Sequence, residues 1–296
     1  MSTPRLPWPR TNVTLDEHTT SYSRTGGFSM SDVLKIAQEA ARAGAAVIAA
    51  AGRDIGAVRV KASLTDVVTE TDIAAGVAIV RSIMAADPNA TFVIEEDEVY
   101  GLTDCIQGEL DAPEVWVIDP LDGTTSFVHG FPCYSVSVAL LRDGEPIAGA
   151  VLDVSRQELY SAAVGQGAHR DGAAIQCGAT ETLIGSLLVT GFPYDRGEPL
   201  TRQLAVLGDF LRAPVHGMRR DGSAAIDCCH VASGRADGFW EFGLKPWDMA
   251  AGVVICREAG ARVTGIEGEP WTPKSTGIIV ANPALHSAMR EVILAR

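Results

Sequence analysis

The chain has 296 residues, 47% hydrophobic and 21% charged, a composition that can bury a substantial core and excludes an intrinsically disordered chain. Its 24 lysines and arginines against 37 aspartates and glutamates give a net charge of −13. That balance argues against nucleic acid or an anionic membrane surface as main partner, since both are bound through clustered cations.

No apolar run reaches the roughly 20 residues needed to cross a bilayer. Residues 1–27, rich in Ser, Thr, Pro and Arg, hold no apolar signal-peptide core and read as a mobile arm of a cytoplasmic protein. Ser29 or Ser31 can cap a helix whose apolar residues recur at three- and four-residue spacing to Ala51, with Gly52 as its stop. A loop through Lys61 and a polar stretch, Val68-Thr69-Glu70-Thr71-Asp72, lead into a second helix over about 73–86. Thr91-Phe92-Val93-Ile94 is a short strand ending in Glu95-Glu96-Asp97-Glu98, and Val115-Trp116-Val117-Ile118 is another ending at Asp119-Pro120. Three consecutive strands follow at 134–141, 147–154 and 158–164, with Asp143-Gly144 and Ser155-Arg156 as hairpin turns. Beyond about residue 178 strands alternate with helices: a strand at 187–190, helices at 200–211, 222–232 and 246–260, a strand at 277–281 and a last helix at 284–294. The pattern divides into an N-terminal α+β half, 28–180, and a C-terminal α/β half, 181–296. The six cysteines form no Cys-x-x-Cys pair and read as reduced thiols.

The strongest chemical signal is Trp116-Val117-Ile118-Asp119-Pro120-Leu121-Asp122-Gly123-Thr124-Thr125. An apolar strand delivers two carboxylates, and the following Gly-Thr-Thr offers backbone N–H groups and hydroxyls suited to an anion. Hard divalent cations take oxygen ligands, which aspartates and a backbone carbonyl provide. Three further signals each have an ordinary explanation alone: Glu95-Glu96 as a solvated strand end, Asp72 as a helix cap, and Asp248 in Lys245-Pro246-Trp247-Asp248 as a dipole-favoured residue of a first helical turn. Together, four segments each place a carboxylate at an element's end, which is unfavourable unless cations neutralise the group.

These motifs resemble the inositol monophosphatase family of Mg²⁺-dependent, lithium-sensitive phosphatases. Asp119 to Thr125 is similar to its first signature, and Trp247-Asp248 with the Ala/Gly-rich helix behind it to its second. The resemblance covers about residues 30–294. It implies a layered αβαβα sandwich, two or three Mg²⁺ ions, and commonly a homodimer. Position by position, it implies that Glu95, Asp119 and the Leu121 carbonyl hold one ion and that Asp119, Asp122 and Asp248 hold another. Glu96 and Lys61 support the metal site from behind. Asp72 and Thr124 orient the attacking water, with Glu95 in the catalytic group. Gly123, Thr124 and Thr125 receive the phosphate, and Glu241 with Gly222, Ser223 and Ala224 contacts the substrate's hydroxyls. Ile94 stands where many relatives have glycine, and the 95–98 run is unusually acidic.

The implied function is a phosphomonoesterase acting on a small polyol or sugar phosphate, inositol 1-phosphate by default. Histidinol phosphate, fructose 1,6-bisphosphate and a nucleotide 3′-phosphate are alternatives in the same class. A regulatory or binding protein on a phosphatase scaffold is the alternative from another. Cys133, close in sequence to the first signature, sits among apolar and aromatic residues and reads as a buried structural thiol, not a nucleophile.

Overall fold

The computed structural model describes residues 28–52, 57–60 and 67–296. The arm at 1–27 and Lys61 lie outside the described residues. In the first half, helix α1 (Met30–Ala51) precedes strands β1 (Val58–Val60) and β2 (Val67–Thr69), then α2 (Glu70–Ala86). Next come β3 (Thr91–Ile94), α3 (Glu98–Thr103), β4 (Ile106–Gln107), β5 (Glu114–Asp122) and α4 (Thr124–His129). A run of strands follows: β6 (Ser135–Arg142), β7 (Glu145–Asp153), β8 (Glu158–Ala163), β9 (Ala168–Arg170) and β10 (Ala173–Ile175). The second half holds β11 (Leu187–Thr190), α5 (Glu198–Arg212), β12 (Gly217–Arg219), α6 (Ala224–Ala232) and β13 (Gly238–Phe242). It closes with α7 (Pro246–Glu258), β14 (Arg262–Thr264), β15 (Gly277–Ala281) and α8 (Pro283–Leu294).

An eight-stranded sheet has the order β10-β9-β8-β7-β6-β5-β3-β4, and a five-stranded sheet the order β12-β11-β13-β15-β14. Successive residues of a strand face opposite ways, and β5 shows both faces of the large sheet to be covered. Trp116 and Ile118 pack with Ile79 and Ile83 of α2 and Ile36 and Ile48 of α1. Val115 and Val117 join Cys228 of α6 and Met249 and Val253 of α7, which also meet Phe239 and Val280 of the small sheet. The outer face of the small sheet, Leu188, Trp240 and Ile279, packs on Val206 and Phe210 of α5 and Leu285 and Met289 of α8. The layers therefore run α1/α2, large sheet, α6/α7, small sheet, α5/α8, the αβαβα sandwich expected. Contact between α7 and the large sheet is close enough that a Cβ on Gly149 would sit 2.9 Å from the Ala251 Cα.

Local expectations hold with informative differences. Ser29, not Ser31, caps α1, its hydroxyl and the Asp32 carboxylate forming a reciprocal pair with the first turn. Asp143 and Gly144 both have positive φ, 50° and 79°, as a two-residue hairpin turn needs. The next turn is longer than Ser155-Arg156, because Asp153 pairs with Glu158 and Gln157 takes φ 58°. Strand β13, not among the elements read from the sequence, has all five residues buried, so no polar–apolar alternation marks it. No described helix is long and apolar enough to cross a membrane.

Candidate active site between the two sheets

Strand β5 is the foundation of the site. Asp119 and Asp122 are three residues apart, so a regular strand would point them to opposite faces. Asp119 pairs with Ser137 and Asp122 with Ser135, so three steps on β5 oppose two on β6. Pro120, which has no N–H for the ladder, lies within this bulge, and the extra residue brings both carboxylates to one side. Gly123 follows at φ 96°, and a Cβ there would lie 2.8 Å from the Cys133 carbonyl oxygen and 3.0 Å from that of Gly222, so only glycine fits. The chain then enters α4 directly at Thr124.

Four helices begin at this point: α2 with Asp72 and α7 with Asp248 in their first turns, α4 at Thr124, and α6 behind its cap Ser223. Asp72 is 1% exposed, and its Oδ2 accepts from the Thr69 N–H at 3.0 Å and from the Thr69 hydroxyl, forming the N-terminal cap of α2. Its Oδ1 accepts from the Thr124 hydroxyl at 2.8 Å. One oxygen of Asp72 thus serves the helix cap and the other meets Thr124. The Thr124 hydroxyl also lies 3.0 Å from the Leu121 carbonyl oxygen, and its single proton can serve only one acceptor at a time.

The other aspartates share this economy. The Leu121 N–H binds Asp119 Oδ1 at 3.0 Å, and the Lys245 N–H binds Asp248 Oδ2 at 2.7 Å. The Ser223 hydroxyl and the Ala225 N–H bind Asp122 Oδ2 at 2.7 and 2.8 Å. One oxygen of each fixes the carboxylate's orientation, while the group as a whole borders the cleft.

That open cleft, of about 590 Å³, is bordered by Glu95, Asp119, Leu121, Asp122, Gly123, Thr124, Gly222, Ala224, Glu241 and Asp248, which come from both halves of the chain. Burial, followed by the charges of Glu95, Asp122 and Asp248, holds the Asp119 carboxyl well above its usual range. Burial and then Asp122 and Glu95 do the same to Asp248, and burial raises Asp122 to about 6 against the bonds from Ser223 and Ala225. Asp72 is raised chiefly by burial. Glu241 is raised to about 8, first by burial and then by Asp122. Carboxyls raised by one another's charge favour protons or cations, and among the described residues the lining of this cleft offers oxygen donors with no histidine or cysteine. The donor set therefore fits hard divalent cations such as Mg²⁺.

Not every expected residue reaches the cleft. Ser223 acts from beneath through Asp122, and Glu96 is 3% exposed and off the lining. Thr125 is exposed and borders a neighbouring cavity with Val128 and His129. Within the acidic run Asp97 and Glu98 are exposed, and Glu98 pairs with Arg59 at 3.0 Å, so only Glu95 of the four lines the cleft. Ile94 is a core residue beneath Glu95. Cys133 is buried, and burial and neighbouring carboxylates push its thiol far up, which suits a structural thiol and not a nucleophile. All six cysteines are free.

Sequence reasoning missed Arg220, which borders the cleft, lies over the Phe192 ring 5.8 Å from its centroid, and lowers the Glu241 pKa against its burial. The only available signal was its place just before Asp221-Gly222-Ser223. Gly191 was also missed. A Cβ there would come within 2.2 Å of both Glu241 carboxylate oxygens.

Known proteins resemble this chain over nearly its whole length. The model of the inositol monophosphatase family matches residues 29–295. An inositol-1-monophosphatase of Synechocystis sp. is 40% identical over 90% of this chain and 92% of its own length. A putative Nus factor SuhB of Neisseria meningitidis serogroup B is 39% identical over 90% of this chain and 99% of its own. The staphylococcal IMPase-II, solved with inositol monophosphate bound, superposes with a TM-score of 0.71 at 27% identity, over 88% of this chain and 94% of that one. The chain belongs to the inositol monophosphatase family, and its activity is that of a phosphoric monoester hydrolase.

Proposed function

We propose that the cleft hydrolyses the phosphate ester of a small polyol or sugar, with inositol 1-phosphate the first substrate to test and Mg²⁺ the resident ion. One observation carries the reading. Four acidic side chains, Glu95, Asp119, Asp122 and Asp248, border the same cleft as the start of α4 and the Thr124–Asp72 pair.

The family is metal-dependent. Here Glu95, Asp119 and the Leu121 carbonyl would hold one ion, and Asp119, Asp122 and Asp248 a second. A weaker third site near Glu95 has Glu96 behind it. Bound Mg²⁺ supplies positive charge that offsets the phosphate and the developing alkoxide. The protein's own part is positioning. Asp72 Oδ1 accepts the Thr124 proton, which leaves the Thr124 oxygen lone pairs available to receive a proton from an attacking water. The N–H groups of Gly123 and Thr124 at the start of α4 would receive the phosphoryl oxygens, with the helix dipole favouring the anion. Glu241, opposite, is placed to bind substrate hydroxyls, and Arg220 beside it is placed to accept a negative or hydroxyl-rich leaving group. Residues 28–180 supply most ion ligands, and 181–296 supply Asp248 and Glu241.

Phosphate release from a panel of inositol, histidinol, fructose and nucleotide phosphates, with and without Mg²⁺, tests the reading. Mg²⁺-dependent turnover of a polyol phosphate supports it, and no turnover of any member overturns it. A second reading, a regulatory protein working through a protein partner, is favoured by the relative named a putative Nus factor. Failure of turnover with the ions bound favours it.

A further inference from the structure

We propose that Asp221, Asp227 and His230 form a second cation site, of the divalent transition-metal class, along α6 and the turn before it. One ligand atom of each residue lies within 4.8 Å of those of the other two. Asp227 is 1% exposed, and its Oδ1 is buried without a hydrogen-bond partner. An orphaned carboxylate oxygen in the interior is costly, and structures keep one where something else satisfies it.

The obvious protein partner is missing. Among the described residues no lysine or arginine forms an ion pair with Asp221 or Asp227. Arg220 acts on Asp227 only as the weakest of its neighbours, after Glu241, Asp221 and Asp122, all of which repel it. Two carboxylates side by side, one buried, call for a cation.

The third member decides which cation. His230 occupies the last turn of α6 and is half-buried, and burial lowers its pKa, which keeps the ring in the neutral form that ligates metals. Imidazole with carboxylates suits zinc, manganese, iron or cobalt, whereas oxygen-only sites suit magnesium. Half-exposed Asp221 and His230 give an ion a way in.

The site is chemically distinct from the catalytic one, whose lining holds no histidine among the described residues. It is also mechanically joined to it, because the Ser223 hydroxyl and Ala225 N–H that bind Asp122 belong to the helix start that Asp227 follows.

The test uses untagged full-length protein saturated with Mg²⁺, then given one equivalent of Zn²⁺. X-ray absorption at the zinc edge should show an imidazole among the ligands. His230→Ala should lose that signature and weaken zinc binding at least tenfold, with Mg²⁺-dependent phosphate release within twofold of the native protein. Zinc held only by oxygen, or an imidazole signature unchanged in His230→Ala, overturns the proposal whatever the enzyme's substrate proves to be. Should His230→Ala fail to fold, His230→Gln carries the same readout.

Discussion

The Thr124 hydroxyl lies 2.8 Å from Asp72 Oδ1, although 51 residues of chain separate the two. Asp72 is held by its second oxygen in the cap of α2, so the acceptor that faces Thr124 cannot rotate away without uncapping the helix. The hydroxyl proton thus has a rigidly held acceptor in Asp72, in competition with the Leu121 carbonyl 3.0 Å away.

Thr124→Ala should lower kcat by a factor of about 10²–10⁴, the usual worth of positioned proton transfer, with KM little changed. Thr124→Ser should restore much of the loss. Steady-state kinetics on the best substrate of the panel decide it, and a Thr124→Ala enzyme with normal kcat removes the pair from the mechanism. Asp72→Asn should lose activity comparably, and it also tests the cap.

Asp119 sits among Glu95, Asp122 and Asp248, whose charges repel its own. Asp119→Asn should abolish Mg²⁺-dependent turnover. In the metal-free protein the same change should leave Tm unchanged or raise it, because one member of a repelling cluster is gone. Near-native activity contradicts the bridging role, and collapse of the metal-free fold contradicts the electrostatic account.

Glu241→Ala should alter the ranking of substrates by kcat/KM more than it alters the fastest turnover, because Glu241 borders the cleft without belonging to the proposed ion ligands or the Thr124–Asp72 pair. With its pKa at about 8 the native group carries a proton at neutral pH in the metal-free protein and can donate to a substrate oxygen. An equal loss on every substrate of the panel contradicts a selectivity role.

Gly123→Ala should cost about 1–3 kcal/mol from its positive φ alone, before the clash with two carbonyl oxygens. Chemical denaturation measures the loss, and activity should fall with it. An alanine variant as stable as the native protein overturns the close-packing argument.

Away from the cleft, His286 is 0% exposed, its Nε2 is 3.0 Å from the Thr264 hydroxyl, and burial with Arg262 and Arg290 lowers its pKa to about 4. Its free imidazole titrates near 6.5. The unfolded chain therefore binds more protons between those values, and stability falls as pH drops from about 6.5 to about 4. Denaturant melts of His286→Gln should show a flatter dependence over that window, and an unchanged slope assigns the acid lability to other groups.

The chemistry of the site was legible where local residues carry it: β5 with Asp119 and Asp122, Glu95 at a strand's end, Asp248 in a first turn. What the sequence hid depends on partners far along the chain. The bulge that aligns Asp119 with Asp122 exists only against Ser135 and Ser137 of β6. Strand β13 is covered on both faces, so it has no periodicity to read, and it carries Glu241. Arg220 belongs to no motif, and its position over Phe192 follows from how β12 and the 191–194 segment meet. Asp72 looked like a choice between cap and catalyst because one residue letter cannot reveal that its two oxygens face different ways.

Because α2, α4, α6 and α7 all start at the cleft, catalysis constrains each helix mainly over its opening turn. The distal turns of these helices and the outer layer of α5 and α8 answer to packing and to whatever the surface meets. One end of the fold can thus stay fixed in its chemistry while the other diverges freely, which leaves room for lineages to keep a phosphatase centre and acquire new associations at its periphery.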